Sequence, residues 1–501
     1  MALGGDDRSP VVVGVGQVVQ QGVDPGEALD PLGLMESAAR AAFDDARLGA
    51  AKADGLDRVI VPSVLGAHYS NPARLLAERL GASGAAPVTL GVGGNGPQKA
   101  LNQAARDVAA GRARLVLLAG AEALDTRQRA RAAGLHVDWS GGGEAEAAEP
   151  EPAPSSEIET RHRLVVPPFV YPLYENALRA HHGRDLETHR KQVGTMLARF
   201  TEVAAANPYA WFRTRRDADA ITLPGPGNRM VAFPYTKYMN AILRVDQGAA
   251  VLLTSLAHAR ALGVPEDRMV HWLGGGDALE DPWWLSERPG FHDSPAMARA
   301  YAGAFAEAGL APEDVHVFDL YSCFPSAVEM GCDALGIDLD DPRPLTVTGG
   351  LPYAGGPGND YGTHAVAQMV GWLRATPGAV GMTTGVGWYF TKHSAGLYGT
   401  LPRMELPSAP SPPPEPGPPE RVAVAESAEG RGRIEAYTVV HDRDGAANAG
   451  IVIGRLDDDR RFLAFLDDDP DALAALEADE GVGRTGRVRP DGDVHRFGLD
   501  P

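Results

Sequence analysis

An α/β body followed by a small β-barrel is the architecture this sequence predicts, and three observations predict it. Short apolar runs alternate with helical patterns in two separate series. A proline-rich spacer closes the second series, and period-two strands follow the spacer. At 501 residues and roughly 150 residues per domain, the chain has room for about three such units.

In the first series, residues 11–15 read as a strand and 35–48 as a helix with Ala38, Ala39, Ala42, Phe43 and Ala46 on one face. Strand 58–61, helix 71–80, strand 87–90, helix 98–110 and strand 115–119 follow. Such alternation marks a sheet whose strands are buried on both faces. Residues 141–157 (GGGEAEAAEPEPAPSSE) are polar and proline-rich and read as an acidic, disordered excursion, its run from Glu144 to Glu151 solvated. A helical, aromatic-rich stretch over 171–213 then reads as an insertion on the α/β body, closed by a loop at 223–230, and strand 249–253 resumes the sheet. The second series comprises strand 315–320, helix 325–335, strand 345–348, helix 363–375 and strand 379–383. Residues 402–419 hold nine prolines in 18 residues, a polyproline-like spacer. Beyond it, 434–441, 449–455 and 461–465 alternate with period two, and no helix pattern appears until Asp471. The expected division is 1–264 (with the insertion at 125–240), 265–402, a linker at 403–420, and a barrel at 421–501.

Composition narrows the function classes. The chain carries 46 Lys and Arg against 66 Asp and Glu, a net charge of −20. A field of that sign repels phosphate backbones and anionic lipid heads, so neither nucleic acid nor a membrane is an expected partner. No window approaches the ~18 apolar residues of a membrane span, and the first ten residues lack the pattern of a signal peptide. A cytoplasmic location is expected. Two cysteines, Cys323 and Cys332, exclude a disulfide framework and a zinc site built from three or four cysteines. The histidines show no HxxxH or HExxH spacing, so no metal site is expected and no cofactor is required.

Gly91-Val92-Gly93-Gly94-Asn95-Gly96 matches GxGxxG after a strand and before a helix, and Glu122 ends the next strand. That is the context of a dinucleotide fingerprint. Pro97 and the position on the third strand favour instead a tight strand-to-helix turn facing a site.

The segment 95–124, NGPQKALNQAARDVAAGRARLVLLAGAEAL, resembles the nucleophile helix and following strand of the thiolase superfamily. Val245-Asp246-Gln247-Gly248-Ala249-Ala250 resembles its DGAAA segment. Tyr321-Ser322-Cys323-Phe324 stands in the place of NEAF or HDCF. Gly349-Gly350 through Gly355-Gly356-Pro357 stands for GG…GHP, and residues 382–388 (MTTGVGW) stand for the CxGGG turn. The blocks keep thiolase order over about residues 10–400. The chain is most similar to the thiolase-like protein type 1 group, often labelled acetyl-CoA acetyltransferase. The resemblance implies the thiolase fold: two similar five-stranded α/β halves layered αβαβα, here with a C-terminal OB-like barrel. It also implies acyltransferase chemistry in lipid metabolism, acyl-CoA or CoA as substrate or ligand, and a homodimer through the core.

A thiolase works through a cysteine at a helix N-terminus, a second cysteine, and histidines that move protons. Here the nucleophile's place falls on Gly94, within one residue; the GHP histidine's falls on Gly356, and the second cysteine's on Gly385. The expected cleft lies where the helix N-termini meet, near Gly94, Asn95, Tyr321, Gly356 and Gly385. Cys323 aligns with a packing position, and Cys332 reads as core. His364 and His393 follow the altered motifs, as relocated bases or as packing residues. Tyr321 and Tyr353 resemble the acid and base tyrosines of thiolase-like aldol-cleaving lyases, which work with a separate OB-fold subunit. Residues 435–441 (EAYTVVH) resemble a strand of that subunit. Three readings follow: acyl transfer, tyrosine-dependent cleavage of a β-hydroxyacyl-CoA, and acyl-CoA binding alone.

Overall fold

The computed structural model describes residues 7–141, 151–402 and 420–500. Its first series is β1 (Pro10–Val19), α1 (Pro31–Asp45), β2 (Arg58–Pro62), α2 (Pro72–Arg79), β3 (Ala86–Leu90), α3 (Gly96–Ala109) and β4 (Leu115–Ala123). Local chemistry sets the helix starts. Asp30 accepts from the Gly33 amide and Asn71 from the Arg74 amide, each directly before a proline in the first turn. The insertion supplies α4 (Pro167–His181) and α5 (Leu186–Ala206), and β5 (Asp246–Ser255) returns to the sheet. The second series is β6 (Val270–Leu279), α6 (Pro295–Ala308), β7 (Val317–Asp319), α7 (Pro325–Leu335), α8 (Tyr361–Ala375), β8 (Val380–Gly387) and β9 (Lys392–Gly399).

These nine strands run in the order β7-β8-β9-β6-β1-β5-β4-β2-β3. In the first half β2 is parallel to β3 and β4, while β5 is antiparallel to β4 and β1. The second half repeats this: β7 is parallel to β8, and β9 is antiparallel to β8 and β6. The halves join where β1 pairs with β6 at Val11↔His271 and Val12↔Val270. Alternation along β1 then sorts the layers. Val11 and Val13 pack with α1, whereas Val12 packs with α3 and α8. Helices α3 and α8 touch each other and strands of both halves, and α6 covers the far side of the second half. Five layers, αβαβα, result.

The expected strand at 345–348 does not form. Phe318 and Leu320 donate to the carbonyls of Pro344 and Leu345, so the segment takes the fifth place in its half. The buried Asp319 then claims its next groups: Oδ2 accepts from the Val347 and Thr348 amides and the Thr346 and Thr348 hydroxyls. Those amides are diverted from a ladder to a carboxylate, which ends the pairing.

Beyond the spacer come β10 (Gly430–His441), β11 (Ala447–Leu456), β12 (Arg461–Leu466), α9 (Pro470–Ala478), β13 (Thr485–Asp491) and β14 (Val494–Leu499). They form a closed, OB-like barrel, β10-β11-β12-β14-β13, shut by pairing of β13 with β10. The barrel docks on the insertion. Val440 pairs with Ala232, Asn176 donates to the Tyr437 carbonyl (2.9 Å), and Thr438 donates to the Phe233 carbonyl (2.9 Å). Arg461, wholly buried, pairs with Glu435 and donates to the carbonyls of Ser286, Arg288 and Pro289.

Residues 403–419, most of the proline-rich spacer, and 142–150, most of the acidic excursion, lie outside the described residues. The end of that excursion is bound, contrary to expectation. The Ala153 carbonyl accepts both indole N–H groups of Trp283 and Trp284 (3.0 Å each), and Glu151 is held by Lys392.

Candidate active site

The turn from β3 into α3 packs against residues from the second half. A Cβ at Gly94 would lie 1.9 Å from the Tyr321 hydroxyl oxygen, 2.4 Å from its Cζ and 2.8 Å from the Val386 carbonyl. A Cβ at Gly385 would lie 2.7 Å from Asn95 Cα and 3.1 Å from the Gly94 carbonyl. Both positions therefore demand glycine, and Gly94, Asn95, Tyr321 and Gly385 come together. Gly356 differs. A Cβ there would lie 3.3 Å from Leu351 Cδ2 and 3.4 Å from the Ile242 carbonyl, so even a methyl fits only if the leucine side chain gives by a few tenths of an ångström.

Tyr321 follows β7 directly. Its amide donates to Thr384 Oγ1 on β8 (2.8 Å), and its ring meets Tyr361 edge-on at 5.5 Å. Burial pushes the phenol well above its ordinary value, so the hydroxyl keeps its proton and acts as a donor. Tyr353 is buried too, its hydroxyl without a hydrogen-bond partner. Phe212 and Trp211 donate to the Tyr353 and Ala354 carbonyls. Among the described residues no hydrogen bond or ring contact joins the two tyrosines.

His364 and His393 are buried at separate places. His364 Nδ1 donates to Gln17 Oε1 (2.8 Å), and its Nε2 lies 3.8 Å from Asp360. His393 Nε2 donates to the Phe390 carbonyl (2.9 Å), near Ser294 Oγ. Burial lowers both to about 3. Their imidazole resonances are expected to stay neutral from pH 8 to pH 5. His441 is the contrast: burial pulls it down, but Glu477 and the Gly445 carbonyl outweigh burial and raise it. An NMR titration showing His364 or His393 charging near pH 6.5 would overturn this assignment. Burial also pushes Cys323 up to about 12 and Cys332 higher, so neither supplies a thiolate at neutral pH.

The protein's own groups fill the GxGxxG turn. The Gly93 amide donates to Asn359 Oδ1 (2.8 Å), and Glu122, buried, accepts from the Leu65 and Gly66 amides. Neither the turn nor the acid is free for a dinucleotide in this arrangement. Burial raises Glu122 to about 7.

Sequence reasoning reached Trp388 at the β8–β9 turn but missed Phe390 and Lys392 beyond it. Trp388 and Phe390 hold left-handed backbone, φ 52° and 56°, which bulky residues rarely adopt. The insertion and Arg288 fix the turn: Tyr171 donates to the Trp388 carbonyl (2.7 Å), and Tyr174 and Arg288 donate to that of Tyr389. Lys392 follows, its ammonium on the Val92 carbonyl (2.6 Å) and the Glu151 carboxylate. No local motif marks Phe390 or Lys392, and Trp388 enters the sequence reading only as the end of the 382–388 block. Strain held by surrounding contacts collects at functional sites.

Among the described residues, one trio has ligand atoms close enough together for a metal, Glu175, His189 and Glu329. Hydrogen bonds already occupy it. His189 Nε2 stands 2.6 Å from Glu175, Tyr235 donates to Glu175, and Arg184 donates to Glu329. Two donors on one tetrahedral zinc stand roughly 3.3 Å apart; His189 Nε2 and Glu175 stand closer, at hydrogen-bond distance, while His189 Nδ1 and Glu329 Oε1 have no hydrogen-bond partner among the described residues.

A cleft of about 1120 Å³ is lined by Leu124, Arg127, Arg131, Leu135, His136, Leu243 and Arg244. Leu243 would lie 3.8 Å from a Cβ at Gly356, so the cleft borders Gly356. Among the described residues, no helix is long and apolar enough to cross a membrane.

Fold and site together define a thiolase-fold protein in which Gly94, Asn95, Tyr321 and Gly385 pack together at the turns where its two halves meet. The family description "thiolase-like protein type 1 additional C-terminal domain" matches residues 417–493. A monomeric SCP2-thiolase-like protein type 1 from Mycobacterium smegmatis is 34% identical, with 99% of this chain and 100% of that chain covered and a TM-score of 0.83. The chain belongs to the thiolase-like protein type 1 family. The Ltp2-ChsH2(DUF35) aldolase shares the fold at 18% identity, covering 78% of this chain and 98% of that one, TM-score 0.61. So does human mitochondrial 3-ketoacyl-CoA thiolase in complex with CoA, at 16% identity, 78% and 98% coverage, TM-score 0.55. No curated protein sequence matches.

Proposed function

We propose that this chain binds an acyl-CoA and acts on it through Tyr321 rather than through a cysteine. The observation that carries this reading is the phenol oxygen 1.9 Å from the place of a Cβ at Gly94, at the start of α3. A cysteine there would attack the thioester carbonyl. A protonated phenol instead donates to the carbonyl oxygen as negative charge grows on it. With a β-hydroxyacyl-CoA this favours aldol cleavage: the β-hydroxyl gives its proton to water as it becomes a carbonyl, the Cα–Cβ electron pair passes into a thioester enolate that the phenol stabilises, and the enolate takes a proton at Cα to leave the shortened acyl-CoA. Tyr353 is the second tyrosine of the reading. The arginine-lined cleft supplies charge for the phosphates of CoA, and thiolase-fold relatives include one described with CoA and one described as an aldolase. Acetyl transfer through an acyl-enzyme is not part of the reading, because Gly94 and Gly385 carry no nucleophile and both thiols are held protonated. One chain is the working unit, in keeping with a relative described as monomeric, and acyl-CoA metabolism in the cytoplasm is its setting.

A second reading, binding without turnover, is favoured by the burial of Tyr353 and by two histidines locked in hydrogen bonds. Mass spectrometry of β-hydroxyacyl-CoA mixtures separates the two. Cleavage is expected, falling about 100-fold or more in Tyr321→Phe, and Tyr353→Phe is expected to reduce it as well. Calorimetric binding of the ester with no cleavage assigns the chain to the second reading. An acylated protein in the intact mass would sink both.

A further inference from the structure

The turn between β8 and β9 already grips a carboxylate, and that carboxylate belongs to a distant part of the chain. Lys392 Nζ donates to Glu151 Oε1 (2.7 Å) and Oε2 (2.9 Å), and the Trp388 indole N–H donates to Oε1. The ammonium lies 5.4 Å from the Trp388 ring centroid and directs another proton to the Val92 carbonyl. Two donors thus converge on one carboxylate, held by a backbone turn that the insertion's tyrosines and Arg288 keep in a strained form.

The position of this clamp gives it meaning. Lys392 Nζ lies 3.1 Å from the place of a Cβ at Gly93, and Asn95 Oδ1 lies 2.8 Å from the same point. The clamp therefore abuts the residue beside Gly94. Lys99, in the first turn of α3, adds a second positive charge within reach of Lys392. The chain has only five lysines, Lys52, Lys99, Lys191, Lys237 and Lys392, and elsewhere its cations are arginines. A compact ammonium, unlike a guanidinium fork, fits behind an indole and presents a point charge. The accessibilities are unequal: the Lys392 side chain is 10% exposed and that of Glu151 35%. The cation is built in, and its carboxylate partner is at the surface and able to leave.

We infer that Lys392 and Trp388 form a carboxylate subsite for the acyl end of a CoA ester, which Glu151 fills when no ligand is bound. This rests on the acyl-CoA reading above. The carboxylate is assigned to the acyl chain rather than to CoA, because the clamp abuts Gly93, next to Gly94, where the acyl-CoA reading puts the thioester. The ligand class is the half-thioester of a dicarboxylic acid.

Calorimetry of the full chain with glutaryl-CoA and butyryl-CoA tests this. The ratio of the two affinities is expected to rise at least tenfold in Glu151→Ala, where the competing carboxylate is gone. It is expected to return to the parent ratio in Glu151→Ala combined with Lys392→Met, and also with Trp388→Phe, which keeps the ring but removes the indole donor. A ratio unmoved by Glu151→Ala overturns the inference. Free glutarate separates its failure from that of the acyl-CoA reading. Saturable quenching of tryptophan fluorescence in Glu151→Ala, lost with Lys392→Met, supports the subsite even where neither ester binds. Where neither ester binds, absence of the quenching overturns it.

Discussion

Alanine in place of Gly94 destabilises the chain by about 3 kcal/mol, the upper range for forcing a methyl into a packed interior. The methyl would sit 1.9 Å from the Tyr321 oxygen and 2.8 Å from the Val386 carbonyl. The first contact is a side chain and the second is backbone, so only the first can be removed. Tyr321→Ala on its own opens a cavity and costs about 3–5 kcal/mol. Together the two changes cost about 2 kcal/mol less than their sum, because the methyl then moves into space the phenol has left. Urea denaturation of the four proteins measures this coupling. Additivity to within about 0.5 kcal/mol would mean that the phenol does not occupy the nucleophile's place. Gly94→Cys meets the same obstruction, and intact-mass analysis after exposure to acetyl-CoA is expected to find no acyl adduct.

Arg461→Met has the second large effect. The guanidinium is wholly buried, pairs with Glu435, packs 4.5 Å from the centre of the Phe291 ring, and donates to carbonyls of residues 286, 288 and 289. Methionine fills most of the volume but leaves those carbonyls without a donor and Glu435 without this partner. Removing one member of such a buried pair costs about 3–5 kcal/mol. The loss falls on the joint between barrel and body, so residues 420–500 are expected to melt or be digested first. A variant that unfolds in one step at the parent midpoint would show that the joint is held elsewhere.

The regular parts of the fold were legible because periodicity reports burial directly. β4 is buried along its whole length and reads as an apolar run, and α1 shows its alanine face. The segment after β7 was misread because LTVT has strand composition. What stops it is Asp319, which lies far enough away in sequence that no local pattern carries the information. The site divides in the same manner. The glycines at 94 and 385 were found from the order of motif blocks, but that a phenol from the other half reaches Gly94 depends on how β7 and β8 pair. Lys392, Trp388 and Glu151 meet only through folding, and Glu151 sits in a segment whose composition reads as solvated. The docking of the barrel was equally out of reach. It depends on Val440 meeting Ala232 and on Asn176 meeting Tyr437, pairs contributed by segments on both sides of the spacer.

That docking has a consequence for stoichiometry. A barrel joined to its partner surface by the same polypeptide is always present at one copy per body, and binding becomes an intramolecular event. A covalent linker whose length matches the span sets an effective concentration of about millimolar order. An interface that as separate subunits would be half dissociated at about 1 μM is then closed about a thousandfold over open. The contacts at Arg461, Asn176 and Ala232 therefore need not be strong enough for an independent complex. Dilution, which would strip a separate subunit away, leaves the composition of the particle unchanged.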